Sequence, residues 1–127
     1  LLGLWTLTGA AKRLVPQYVR DLIVSLGYVM ASRKTANYEL VLADAGTAIE
    51  MNLAGANTLT VPPAATADFP IGTVVEVCQY GAGQTTLTPG AGVTIRTASS
   101  LTTRAQYSTV SLRKTGADEW IAAGDLT

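Results

Sequence analysis

Gln79-Tyr80-Gly81-Ala82-Gly83-Gln84-Thr85-Thr86 is the stretch that most invites a chemical reading, because spaced glycines ahead of a polar run can cradle a phosphate. Such a loop works when glycine-freed amides, a helix N-terminus and often a lysine converge on the anion. Here alternating Thr85 and Leu87 and then Pro89 follow the glycines, a strand pattern, and the third glycine and the lysine are missing. The spacing therefore predicts a hairpin between two strands, with Gly81 and Gly83 supplying the positive φ angles such a turn requires.

The other reactive residue types are sparse. Cys78 sits inside Val74-Val75-Glu76-Val77-Cys78, and the chain has no histidine to activate it, so a buried, inert thiol is expected. Paired carboxylates cleave sugars, but Asp44, Glu50, Asp68, Glu76 and Asp125 are well separated. Asp118 and Glu119 are adjacent, so as strand neighbours they would point to opposite faces. Asp and Asn do not recur at the spacing of a calcium loop, and a lone cysteine cannot build a thiolate zinc site. No cofactor or metal is expected, and enzyme activity is not. Tyr80, Tyr107 and Trp120 are the candidate surface recognition residues, since aromatic faces stack on sugar rings. The competing reading puts Trp120 with Phe69 in a core of small aliphatics. Arg113-Lys114 beside Thr115-Gly116 reads as an exposed hairpin end.

At 127 residues the chain is long enough for one domain and an appendage. Formal net charge is zero, so no bulk attraction to nucleic acid or anionic membrane is expected. The charge is uneven: residues 1–37 carry about +4 and residues 38–127 about −4. The chain opens on Leu1 without an initiator Met, as an excerpt or a processed product would. Its apolar opening ends by Ala11, too short to span about 30 Å of hydrocarbon, so membrane insertion is not expected.

Two kinds of element follow. From Val15 to about Ala31 the residues Val15, Val19, Leu22, Leu26 and Val29 form a heptad seam, with Pro16 in the first helical turn. A lone helix of that length must bury its stripe, either on its own β domain or against copies of itself. After Asn37 the period becomes two. Candidate strands are Tyr38–Ala43, Thr47–Asn52, Thr58–Val61, Thr73–Tyr80, Gln84–Thr88, Val93–Thr97, Gln106–Lys114 and Glu119–Ala122. Turn chemistry between them predicts a mainly β fold: an N-terminal helix followed by a small antiparallel β-sandwich or barrel. The expected domains are 1–37, an anchor and oligomerising helix, and 38–127, a β-rich module. No helix separates the strands, which excludes a βαβ nucleotide fold.

Leu42-Ala43-Asp44-Ala45-Gly46, Val61-Pro62-Pro63, Phe69-Pro70-Ile71-Gly72-Thr73, the Gln79–Gly83 turn, Gly92-Val93-Thr94-Ile95, Gln106-Tyr107 and the ending Glu119-Trp120 to Gly124-Asp125-Leu126 form an ordered series. As a series it resembles a module at the C-terminal ends of tailed-bacteriophage fibre proteins, over about ninety residues. The resemblance implies a β-rich, non-enzymatic virion-surface module, a homotrimer, on tail or head fibres, with Thr127 a natural terminus. It does not cover residues 1–37. A trimer would let three helices share the Val15–Val29 seam, with other virion proteins held through residues 1–37. The functional expectation is a structural and adhesive virion component whose β tip meets a host-surface glycan or protein. A capsid decoration protein without receptor binding is the alternative, and a depolymerase acting on surface glycans is the third reading.

Overall fold

The structure, a computed structural model, describes residues 29–127. The seam residues Val15, Val19, Leu22 and Leu26 lie outside the described residues. Val29 is described; it belongs to no helix and is 56% exposed. Ala31, the expected helix end, instead begins a strand.

Nine strands follow: β1 (Ala31–Lys34), β2 (Tyr38–Glu39), β3 (Ala48–Met51), β4 (Asn57–Val61), β5 (Val74–Gln79), β6 (Thr85–Pro89), β7 (Thr94–Thr97), β8 (Thr109–Gly116) and β9 (Glu119–Gly124). All eight expected strands have a counterpart. The first is cut to two residues and followed by a 3-10 turn over Leu42–Asp44. Its stop is chemical: the Asp44 carboxylate accepts from the Val41 N–H at 2.9 Å and from the Tyr38 hydroxyl at 2.7 Å. β1 is the strand that period-two reading missed, because Ala31-Ser32-Arg33-Lys34 carries no apolar alternation.

The expected antiparallel sandwich or barrel is replaced by a largely parallel, coiled arrangement. Six strands form one sheet in the order β1-β3-β5-β8-β9-β7, and three form another in the order β2-β4-β6. The chain shuttles between the two sheets, so β1, β3 and β5 pair in parallel, as do β2, β4 and β6. Parallel neighbours need a long crossover, usually a helix. Here a strand of the opposite sheet serves as that crossover. Ile49 pairs with Val77 and Leu59 with Leu87, both steps of 28 residues, so two successive coils are superposed in register. Among the named strands, antiparallel pairing occurs in β5–β8 and the β8–β9 hairpin, with Asp118 at φ 50° in the hairpin turn, and isolated antiparallel bridges join Thr86 to Thr102 and Thr103 to Leu126.

The glycine corner is where hairpin and coil part company. Gly81 and Gly83 do not adopt positive φ; the glycines that do include Gly72 and Gly92. They are glycine because the corner lies directly on the corner of the preceding coil. A Cβ on Gly81 would run into the Leu53 backbone, and one on Gly83 into the Gly55 backbone. Gly81 N–H donates to Met51 O at 3.0 Å and Gly83 N–H to Leu53 O at 2.9 Å, which tie the two layers together.

One apolar cluster fills the space between the sheets, with Ile49, Met51, Val75, Val77, Val110, Leu112 and Trp120 from the larger and Leu59, Val61 and Leu87 from the smaller. Trp120 is 1% exposed and meets the buried Phe69 edge-on, with centroids 5.5 Å apart. Near the glycine corner the interior is polar. Asn57 Nδ2 donates to Gly55 O and Gly83 O, and Thr85 Oγ1 donates to Asn57 Oδ1 at 2.7 Å. Thr103 Oγ1 donates to Gln79 Oε1, and the Gln79 amide donates to Gly81 O and Ala82 O. Among the described residues no buried side-chain nitrogen or oxygen lacks a partner, as a polar interior requires.

Candidate surface recognition site

Pairing across four strands puts Arg33, Glu50, Cys78 and Thr109 in one row on the outer face of the larger sheet. Tyr80 lies just past β5 and Tyr107 just before β8. The antiparallel register draws the two together, with Gln79 N–H donating to Ser108 O at 2.9 Å and Tyr107 N–H to Gln79 O at 2.6 Å. Their rings meet edge to face, 5.7 Å between centroids and 84° between planes. Arg33 from β1 lays its guanidinium over the Tyr80 ring, with Cζ 3.7 Å from the centroid. Its Nε and Nη2 both donate to Glu50 Oε1, at 3.1 and 3.0 Å, and that pairing raises the Arg33 pKa. Gln106 Nε2 donates to Tyr80 O at 3.2 Å and braces the turn that carries Tyr107.

Of the three aromatics singled out in the sequence, Tyr80 and Tyr107 therefore share a site and Trp120 does not. Trp120 is a core residue: its even position in β9 faces the buried Phe69, so surface recognition by it is ruled out. Tyr107 is 64% exposed and, unusually for a residue with a Cβ, sits at φ 70°. Arg33, Glu50 and Gln106 were missed. Arg33 belonged by charge to the N-terminal part, and only β1's pairing with β3 delivers it here. The two tyrosines are 27 residues apart in sequence, and only the β5–β8 register makes them neighbours.

The other reactive groups resolve into structural roles. Cys78 is half-buried and outward-facing rather than fully buried; desolvation, opposed by the Thr109 hydrogen bond, raises its pKa and keeps it a thiol. Asp118 lies in the β8–β9 turn, not in a strand, and accepts from the Ala64 N–H at 2.7 Å. Glu119 pairs with Arg96 at 2.8 Å, and Asp125 takes a two-pronged Arg104 contact at 2.7 and 2.9 Å plus the Ser108 hydroxyl at 2.7 Å. Both carboxyls are held below the usual range, chiefly by those arginines. Arg113 is exposed as expected, but Lys114 is only 4% exposed. Its ammonium donates to Phe69 O at 2.7 Å and lies 3.4 Å from Asp68 Oδ1.

Among the described residues no group of three or more His, Cys, Asp or Glu could hold a metal ion. No helix among them is long and apolar enough to cross a membrane. The arrangement gathers in one patch an exposed tyrosine, a second tyrosine covered by a guanidinium, a carboxylate and a side-chain amide. No protein-family model matches the chain and no curated protein does either.

Proposed function

We propose that this chain is a non-enzymatic structural and adhesive component of a bacteriophage virion, a tail or head fibre part that displays a β unit for host-surface attachment. The observation that carries the adhesive part is the Tyr107 ring, open to solvent yet fixed against Tyr80, itself covered by Arg33. Fixed aromatic surface flanked by polar groups is what recognition surfaces use, because little side-chain entropy is lost on contact. The non-enzymatic part is supported by the carboxylates: Asp44, Asp118, Glu119 and Asp125 each hold a backbone amide or an arginine in place. The virion assignment is supported by the ordered series of fibre-like segments running from Leu42 to Leu126.

The proposed assembly is a homotrimer joined through the Val15, Val19, Leu22 and Leu26 seam, with the residues before β1 meeting other virion proteins, since Ala31–Lys34 belongs to the β unit. The experiment is gold-labelled antibody against the described β unit, applied to intact particles. Label at fibre tips supports the proposal. Label spread evenly over the capsid lattice supports decoration of the shell instead, and unlabelled particles refute both.

A further inference from the structure

We infer that Tyr107, Tyr80, Arg33, Glu50 and Gln106 form a binding site for an uncharged pyranose sugar within a longer glycan. The inference rests on the adhesive reading and gives it a site and a ligand class.

Three observations converge. The first is the platform: Tyr107 exposes its ring while the edge-to-face contact with Tyr80 fixes the ring's direction. The C–H face of a pyranose packs on such a ring with apolar contact that a mobile side chain would supply at greater entropic cost. The second is backbone strain. A side chain at φ 70° costs about 1 kcal/mol or more relative to glycine, and bulky aromatic residues are not what a left-handed turn position selects. Glycine or asparagine would make the same turn with less strain. Strain of this kind persists only where the surrounding structure holds it in place, and it clusters at ligand-binding positions.

The third observation is the polar surround and its charge. Arg33 has five N–H donors, two of which are on Glu50 Oε1, and the rest of the guanidinium lies beside the Tyr80 ring. Glu50 Oε2 takes no part in that pair, and the Gln106 carbonyl oxygen stands beside an amide nitrogen already bonded to Tyr80 O. Donors and acceptors are thus both at hand, as hydroxyl groups require. Arg33 and Glu50 cancel in charge, so nothing in the cluster favours an anion. A uronate or sialate carboxylate would have to compete with Glu50 for the guanidinium, whereas a neutral ring leaves the pair intact.

The test is amide NMR on isotope-labelled protein, titrated with neutral oligomers of glucose, galactose and N-acetylglucosamine, and separately with oligouronides. The expected result is that a neutral series shifts the Arg33, Tyr80, Gln106 and Tyr107 signals more strongly than any acidic series. Tyr107→Gly and Tyr107→Asn should keep the parent's thermal midpoint or raise it, yet weaken binding by about tenfold or more. Retained affinity in both variants, tighter binding of the oligouronides, or no shift at these residues with any neutral sugar each overturns the site. The two proposals fail separately. A chain located on the particle that ignores neutral sugars loses the site, and one that binds them but is not on the particle loses the virion reading.

Discussion

Replacing Gly83 by alanine tests the coiled stacking at its tightest point. The new Cβ would be driven into the Gly55 backbone, which cannot rotate away as a side chain could. Overpacking of that kind costs about 1–3 kcal/mol. Relieving it means lifting one corner off the other, which weakens the bond from Gly83 N–H to Leu53 O (2.9 Å) and the one from Asn57 Nδ2 to Gly83 O (3.2 Å). At about 1 kcal/mol for each bond, the expected loss is about 3–5 kcal/mol. In a unit of this size that lowers the thermal midpoint by roughly 12–25 °C. The assay is circular dichroism melting with urea titration at fixed temperature. Gly55→Ala is the control, because a Cβ there meets nothing within 4 Å, and it should change stability by only about 0.5 kcal/mol. Gly83→Asn decides between corner and hairpin. Asparagine tolerates positive φ, so a hairpin glycine would accept it, whereas a stacked corner rejects it more strongly than alanine. A Gly83→Asn protein as stable as the parent would refute the stacking argument.

Further expectations follow from individual contacts. Lys114→Met leaves Phe69 O without its buried donor and should destabilise by about 1–3 kcal/mol in urea titration. Asp125 and Glu119 have depressed folded pKa values, so their contribution is present above the ordinary carboxylate range of about 4 and is lost as pH falls through the folded values. Arg104→Gln should therefore flatten the fall in thermal midpoint below about pH 4, measured against the parent over an acid series. Tyr38, raised to about 12 by burial and its Asp44 bond, favours the fold below its ordinary value near 10 and ceases to as pH climbs through 12. Its phenolate absorbance should consequently emerge above the ordinary tyrosine range near 10 in a spectrophotometric titration. Leu22→Asp or Leu26→Asp should dissociate the proposed trimer in light scattering while the β unit stays folded, since a buried unpaired carboxylate is costly.

Strand existence was legible in the sequence because Val, Thr and Leu alternate where one face is buried, as in Asn57–Val61 with its strict in-out pattern. Strand direction was not. Gly81-Ala82-Gly83 has the composition of a hairpin, and the same residues serve a corner that hands the chain to the other sheet. A signal for the difference existed. Ala54–Thr60 reads AGANTLT and Ala82–Thr88 reads AGQTTLT, an internal echo at the 28-residue step that the pairing register reproduces. Two copies that differ at Ala56/Gln84 and Asn57/Thr85 are a short echo, yet the second difference is itself structural, since Thr85 Oγ1 donates to Asn57 Oδ1 between the coils. Two of the five residues of the recognition cluster were legible from residue type: Tyr80 and Tyr107 are exposable aromatics beside turns. Trp120 matched them in type, and only its position in β9 assigns it to the core. Arg33 was illegible, because a four-residue edge strand of Ala, Ser, Arg and Lys has no pattern until β3 is there to pair with it.

The adhesive claim is tested most directly by competition for the host surface. Purified protein, parent or Tyr107→Gly, is added to the bacterium on which the particle grows, and particle adsorption is then counted. Adsorption should fall with rising parent protein and hold steady with the Tyr107→Gly protein. Adsorption undiminished by saturating parent protein would contradict the account, and so would equal blocking by both proteins.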